Sequence, residues 1–114
     1  MKIKKNPGPG QAHTVIMIEG EIDLYSSVDF QEAAASEFGS GKTHVLLDLS
    51  AVEYLDSSGV GCIIRMIQRA KEMHANFAVC GLHGMPLKVL QFSHILTLLK
   101  QYPDSNTATE FFRN

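Results

Sequence analysis

The chain has 114 residues, ten Lys and Arg against twelve Asp and Glu, a formal net charge of −2, and 45% hydrophobic residues. That is the size of one domain, here spanning 1–114, with a real core and too much apolar content for disorder. It offers no basic face for nucleic acid, no apolar run near the ~20 residues of a bilayer span, and no signal peptide behind Met1-Lys2-Ile3-Lys4-Lys5, so a cytoplasmic protein without membrane insertion is expected.

Residues 1–5 suggest a short strand, Pro7-Gly8-Pro9-Gly10 punctuates the chain, and Thr14-Val15-Ile16-Met17-Ile18-Glu19 is a second strand. The two should pair as an antiparallel hairpin. Gly20 to Leu24 reads as a turn into a helix over about 26–38, where Ser26 and Asp29 have the spacing of a capping box. Phe30, Ala34 and Phe38 form its inward stripe, and Gly39-Ser40-Gly41 ends it.

Val45-Leu46-Leu47-Asp48-Leu49 is nearly continuous in apolar character, as in a central strand covered on both faces. A helix from Ser58 to about His74 turns Val60, Ile63, Ile64, Ile67 and Ala70 inward and Arg65, Gln68, Arg69 and Glu72 outward. Phe77-Ala78-Val79-Cys80 completes a strand–helix–strand unit, so its two strands should be parallel. Met85-Pro86-Leu87 opens a third helix that packs through Leu87 and Leu90. Ile95 to Leu99 suggests an edge strand, and Asp104 or Ser105 a cap for a last helix that docks Phe111 or Phe112 on the sheet. Cys62 and Cys80 sit in apolar contexts, as small core residues rather than a disulfide or metal pair.

Motifs for catalysis fail on inspection. Gly39-Ser40-Gly41-Lys42-Thr43 resembles the end of a phosphate-binding loop, but Ser36 stands where its first glycine belongs, and the segment follows a helix instead of opening one. Ser57 follows a strand and precedes a helix, as in a nucleophile elbow, yet Leu55 replaces the first glycine of that motif. His13, His44, His74, His83 and His94 show neither metal spacing nor a pairing pattern and suit surface or boundary positions. No cofactor, metal site or enzymatic activity is therefore expected.

The informative stretch is Tyr54-Leu55-Asp56-Ser57-Ser58-Gly59-Val60-Gly61, a strand end running straight into a helix. Ser57 lies at the positive end of that helix, where backbone N–H groups lack internal partners. Asp23 leaves the second strand and Asp56 the central one. If those strands are neighbours, both carboxylates border the serine and could orient its hydroxyl. Either aspartate alone would ordinarily be a turn or cap residue.

At these residues the chain resembles a STAS domain, and within that group a bacterial anti-sigma-factor antagonist. The resemblance rests on Gly20-Glu21-Ile22-Asp23, on Leu47-Asp48-Leu49-Ser50 through Asp56-Ser57-Ser58-Gly59-Val60-Gly61, and on Ala78-Val79-Cys80-Gly81-Leu82, together spanning about 13–100. It implies an α/β fold: a small mixed β-sheet with α-helices packed mainly on one face. It also implies a partner switch. The unmodified protein binds a serine-kinase anti-sigma factor and so frees the sigma factor; phosphorylation of Ser57 ends binding; a PP2C-type phosphatase restores it. The binding surface carried over comprises Asp23, Asp56, Ser57, Ser58, Gly59 and Val60. An alternative that the resemblance also allows is a STAS subunit of a transporter or of a sensory signalling assembly.

Overall fold

A computed structural model describes residues 2–7 and 12–113; most of the Pro-Gly segment, residues 8–11, lies outside the described residues. Strand β1 (Lys2–Pro7) pairs antiparallel with β2 (His13–Ile22), from Lys2 opposite Glu19 to Pro7 opposite Thr14. Strands β3 (His44–Leu55), β4 (Asn76–Cys80) and β5 (Lys100–Tyr102) run parallel to β2. Among the described residues these five make one mixed sheet in the order β1-β2-β3-β4-β5. The hairpin and the parallel pairing of β3 with β4 are as the sequence suggests.

Residues 44–49 of β3 are buried one after another, because this central strand is covered on both faces. Alternate side chains serve different layers. Val45, Leu47 and Leu49 enter the larger core, shared with α1 (Ser27–Gly39), α2 (Ser57–Glu72) and α3 (Gly84–Phe92) through Phe30, Phe38, Ile63 and Leu90. Leu46 joins Ala78, Cys80, Ala108, Phe111 and Phe112 on the other face. The α-helices therefore pack on one side, and the C-terminal segment roofs the other. Each of the large apolar side chains sealed in this way contributes about 1.5–3 kcal/mol of transfer free energy.

Four local expectations are corrected. The chain does not turn at Gly20: β2 continues to Ile22, past irregularities between Met17 and Glu19 and between Gly20 and Glu21. The capping box at Ser26 and Asp29 does not form; Ser26 makes no side-chain cap bond, and the Asp23 carboxylate binds the amides there instead. Residues 96–98 are a 3-10 turn, and the edge strand is β5, two residues further on. The last helix is 3-10 as well, over Thr107–Arg113, with the Asp104 carboxylate accepting from the Thr107 amide at 2.8 Å.

The histidines also differ in part from expectation. His13 and His44 are opposite one another in the β2–β3 register, with ring centroids 4.6 Å apart, and His44 is buried against Phe111. His74 and His94 occupy left-handed positions just after α2 and α3, at φ 53 and 59.

Candidate functional site

Ile22 and Leu55 are register partners at the ends of β2 and β3, so Asp23 and Asp56 leave the sheet side by side. The Asp56 amide donates to the Ile22 carbonyl at 3.3 Å and prolongs that link past the strand ends. Asp56 is extended (φ −105, ψ −171) and caps α2: its Oδ1 accepts from the Ser58 amide at 2.9 Å and the Gly59 amide at 3.3 Å. A carboxylate here both satisfies orphan donors and faces the positive end of the helix dipole. The helix consequently starts at Ser57, one residue earlier than the apolar periodicity suggests.

Ser57 is exposed, and Ser58 is half-buried beside it. Gly59 is buried because α2 begins almost on top of the two strands. A Cβ there would collide with Leu55 Cδ1 and would lie 2.9 Å from Ile22 Cγ2 and 3.1 Å from Ile22 O. Val60 is only 8% exposed and belongs to the core, so it presents little surface to a partner.

Asp23 organises the neighbouring loop. Its Oδ1 accepts from the Ser26 amide at 2.9 Å and the Tyr25 amide at 3.0 Å, while the Ser26 hydroxyl lies 3.1 Å away. The Ser26 amide, helped by the Ser26 hydroxyl and the Tyr25 amide, holds the Asp23 carboxyl below the usual carboxylate range. Cys62, in the second turn of α2, directs its thiol at the Ser27 carbonyl, 3.4 Å away, which ties α2 to the first turn of α1.

The structure thus brings Asp23, Asp56, Ser57 and Ser58 to one rim. It does not make the aspartates orient the serine: among the described residues neither carboxylate is hydrogen-bonded to the Ser57 hydroxyl, and the Oδ1 of each accepts from backbone amides instead. What the sequence reasoning missed is apolar. Leu24 (66% exposed), Tyr25 (90%) and Val28 (58%) stand open on the same loop and first helical turn. Tyr25 also lines a shallow concavity with Glu21, Asp23 and Asp29, so the rim is greasy and acidic together. The signal was present in Leu24-Tyr25 directly after Asp23, where a plain turn would carry polar residues.

This arrangement leaves the Ser57 hydroxyl exposed at the start of α2. Among the described residues no three His, Cys, Asp or Glu side chains gather to hold a metal. His83, the residue just before α3, has Nε2 at 2.9 Å from the Ser50 carbonyl and not at Ser57 or Ser58.

Comparison with known families aligns residues 1–108 with the STAS domain. The chain belongs to the STAS domain family. Its small mixed five-stranded sheet with three α-helices matches STAS structures. A Bordetella bronchiseptica protein named as an anti-sigma factor antagonist, BtrV, is 18% identical over 93 residues, 82% of this chain and 78% of that one. A crystal structure of a Thermotoga maritima protein named likewise superposes with a TM-score of 0.89 at 20% identity, covering 98% of this STAS domain and 95% of that chain. The Bacillus cell fate determinant SpoIIAA in its phosphorylated form gives a TM-score of 0.75 at 18% identity, covering 98% and 100%.

Proposed function

We propose that this STAS domain is an anti-sigma-factor antagonist that works as one side of a partner switch. Unmodified, it docks through the Asp23–Ser57 rim on a serine-kinase anti-sigma factor in the cytoplasm and makes that factor release its sigma factor. The kinase then phosphorylates Ser57, binding ends, and a PP2C-type phosphatase resets the protein. The domain is a substrate and ligand in this cycle and performs no catalysis itself.

One observation carries the reading: Ser57 is exposed as the first residue of a capped helix, flanked by open apolar side chains. The names of its relatives and the phosphorylated state of SpoIIAA point the same way. The energetics agree. A phosphate adds about −1.5 to −2 charges. Within the domain a helix start favours such an anion by roughly 0.3–1 kcal/mol, so the fold tolerates it. In an interface already holding Asp23, Asp29 and Asp56, an unmatched phosphate is buried beside like charges at a cost of several kcal/mol. About 4 kcal/mol is a thousandfold in affinity, enough for an on–off switch.

Incubation with ATP and a serine-kinase anti-sigma factor from the same genome, followed by peptide mass spectrometry, tests this. Phosphate should arrive on Ser57, Ser57→Ala should remain bound to the kinase, and Ser57→Asp should bind it more weakly. Phosphate on Ser58 in place of Ser57, or equal binding by wild type and Ser57→Asp, overturns the proposal.

A further inference from the structure

A second concavity lies away from the rim, in the groove where α1 and α2 run side by side. It holds about 240 Å³. That exceeds the roughly 150 Å³ apolar cavity that accepts benzene and falls short of the ~300 Å³ at which drug-sized sites begin. Its deep wall is apolar and buried: Ala34, Phe38, Cys62 and Met66 are all at most 3% exposed. Ala35 completes the α1 side, and two consecutive alanines leave the groove open where larger side chains would close it.

The mouth carries Arg65, Arg69 and Glu72, a net positive charge. Arg65 and Arg69 are one helical turn apart and both line it. Arg69 is engaged by Glu72 at 3.1 Å, but Arg65 meets no carboxylate among the described residues; its Nη2 rests 3.5 Å from the Cys62 sulfur, folded over the groove. A guanidinium held above an apolar slot is matched by a ligand with one carboxylate and a short hydrocarbon body.

We infer that the α1–α2 groove is a binding site for a medium-chain monocarboxylic acid, its chain against Ala35, Phe38 and Met66 and its carboxylate on Arg65. The site is independent of the switch reading, and none of its residues belongs to the Ser57 rim. The Cys62 thiol nevertheless reaches the first turn of α1 at the Ser27 carbonyl, so an occupied groove touches the same two helices that frame the rim.

Titration of the ¹⁵N-labelled protein with sodium octanoate tests the inference. Saturable shifts should concentrate at the amides of Ala34, Ala35, Cys62 and Met66. Octylamine, with the same chain and the opposite charge, should produce none of them. Arg65→Gln should weaken octanoate about threefold or more, the size of a screened surface ion pair. Ala35→Leu, at an exposed α1 position that the fold tolerates, should abolish binding by filling the groove. Shifts that fail to saturate, that octylamine reproduces, or that survive Ala35→Leu overturn the site.

Discussion

Replacing Asp56 separates the two ways in which it holds the start of α2. Its carboxylate accepts from two amides, at 2.9 and 3.3 Å, and carries charge at the positive end of the dipole. Loss of an N-cap acceptor costs about 0.5–2 kcal/mol, and the charge–dipole part is about 0.3–1 kcal/mol. Asp56→Ala removes both and is expected to lose about 1–2 kcal/mol. Asp56→Asn keeps an oxygen acceptor and should lose only the smaller part. At roughly 4 °C per kcal/mol for a chain of this size, the alanine variant should melt roughly 4–8 °C below wild type, with asparagine between them. Thermal melts of the three proteins by circular dichroism decide the order. Amide exchange at Ser58 and Gly59 should accelerate through local opening, while the buried β4 amides should accelerate by no more than the global loss of stability implies. An alanine variant melting within a degree of wild type, or an asparagine variant as unstable as alanine, would refute the capping account.

Gly81→Ala should be severe, about 2–4 kcal/mol by urea denaturation: φ is +71, and the added Cβ would lie 2.7 Å from Ser50 Cβ and 2.8 Å from Ser50 N. A change below about 0.5 kcal/mol would contradict that geometry. Phe111→Ala empties the second core and should cost about 3–5 kcal/mol by the same measurement, since Phe111 is 2% exposed. Burial first, and then the nearby Asp48 carboxylate, pushes the Cys80 thiol up from 9.0 to about 12. The folded state therefore keeps a proton that the unfolded chain releases, and the associated stability is intact below pH 9 and declines as pH rises toward 12. Between pH 8 and 10, wild type should lose more stability than Cys80→Ala; parallel losses would refute this sign.

Much of the architecture was legible because apolar spacing and sheet geometry agree. The run Val45–Leu49, apolar but for Asp48, suits a covered strand, and the stripe Val60, Ile63, Ile67, Ala70 needed a sheet to lie on. The departures arose where local chemistry had two solutions. Ser26 and Asp29 have capping-box spacing, but the Asp23 carboxylate takes the Ser26 amide from outside the helix, and the Ser26 hydroxyl is turned back to the Asp23 amide and the Glu21 carbonyl. The β-branched and leucine-rich stretch 95–99 suggests a strand, yet His94 adopts φ 59 and the turn that follows delays pairing until Lys100. At the rim, the placement of Asp23, Asp56 and Ser57 followed from strand order. The burial of Val60 followed from its inward stripe and goes against the surface role that the resemblance carried over. The exposure of Leu24, Tyr25 and Val28 did not follow, because a short turn and one helical residue carry no periodicity that says which way an apolar side chain points.

The sheet has two oily sides but only one is covered by α-helices; the other depends on seven residues of 3-10 coil, Thr107–Arg113, that seat Phe111 and Phe112. Clipping the chain before Thr107 would strip Val15, Leu46, Ala78 and Cys80 of their lid and leave a flat, hydrogen-bonded, water-averse plane. A proteolysed sample is thus expected to clump before it unfolds.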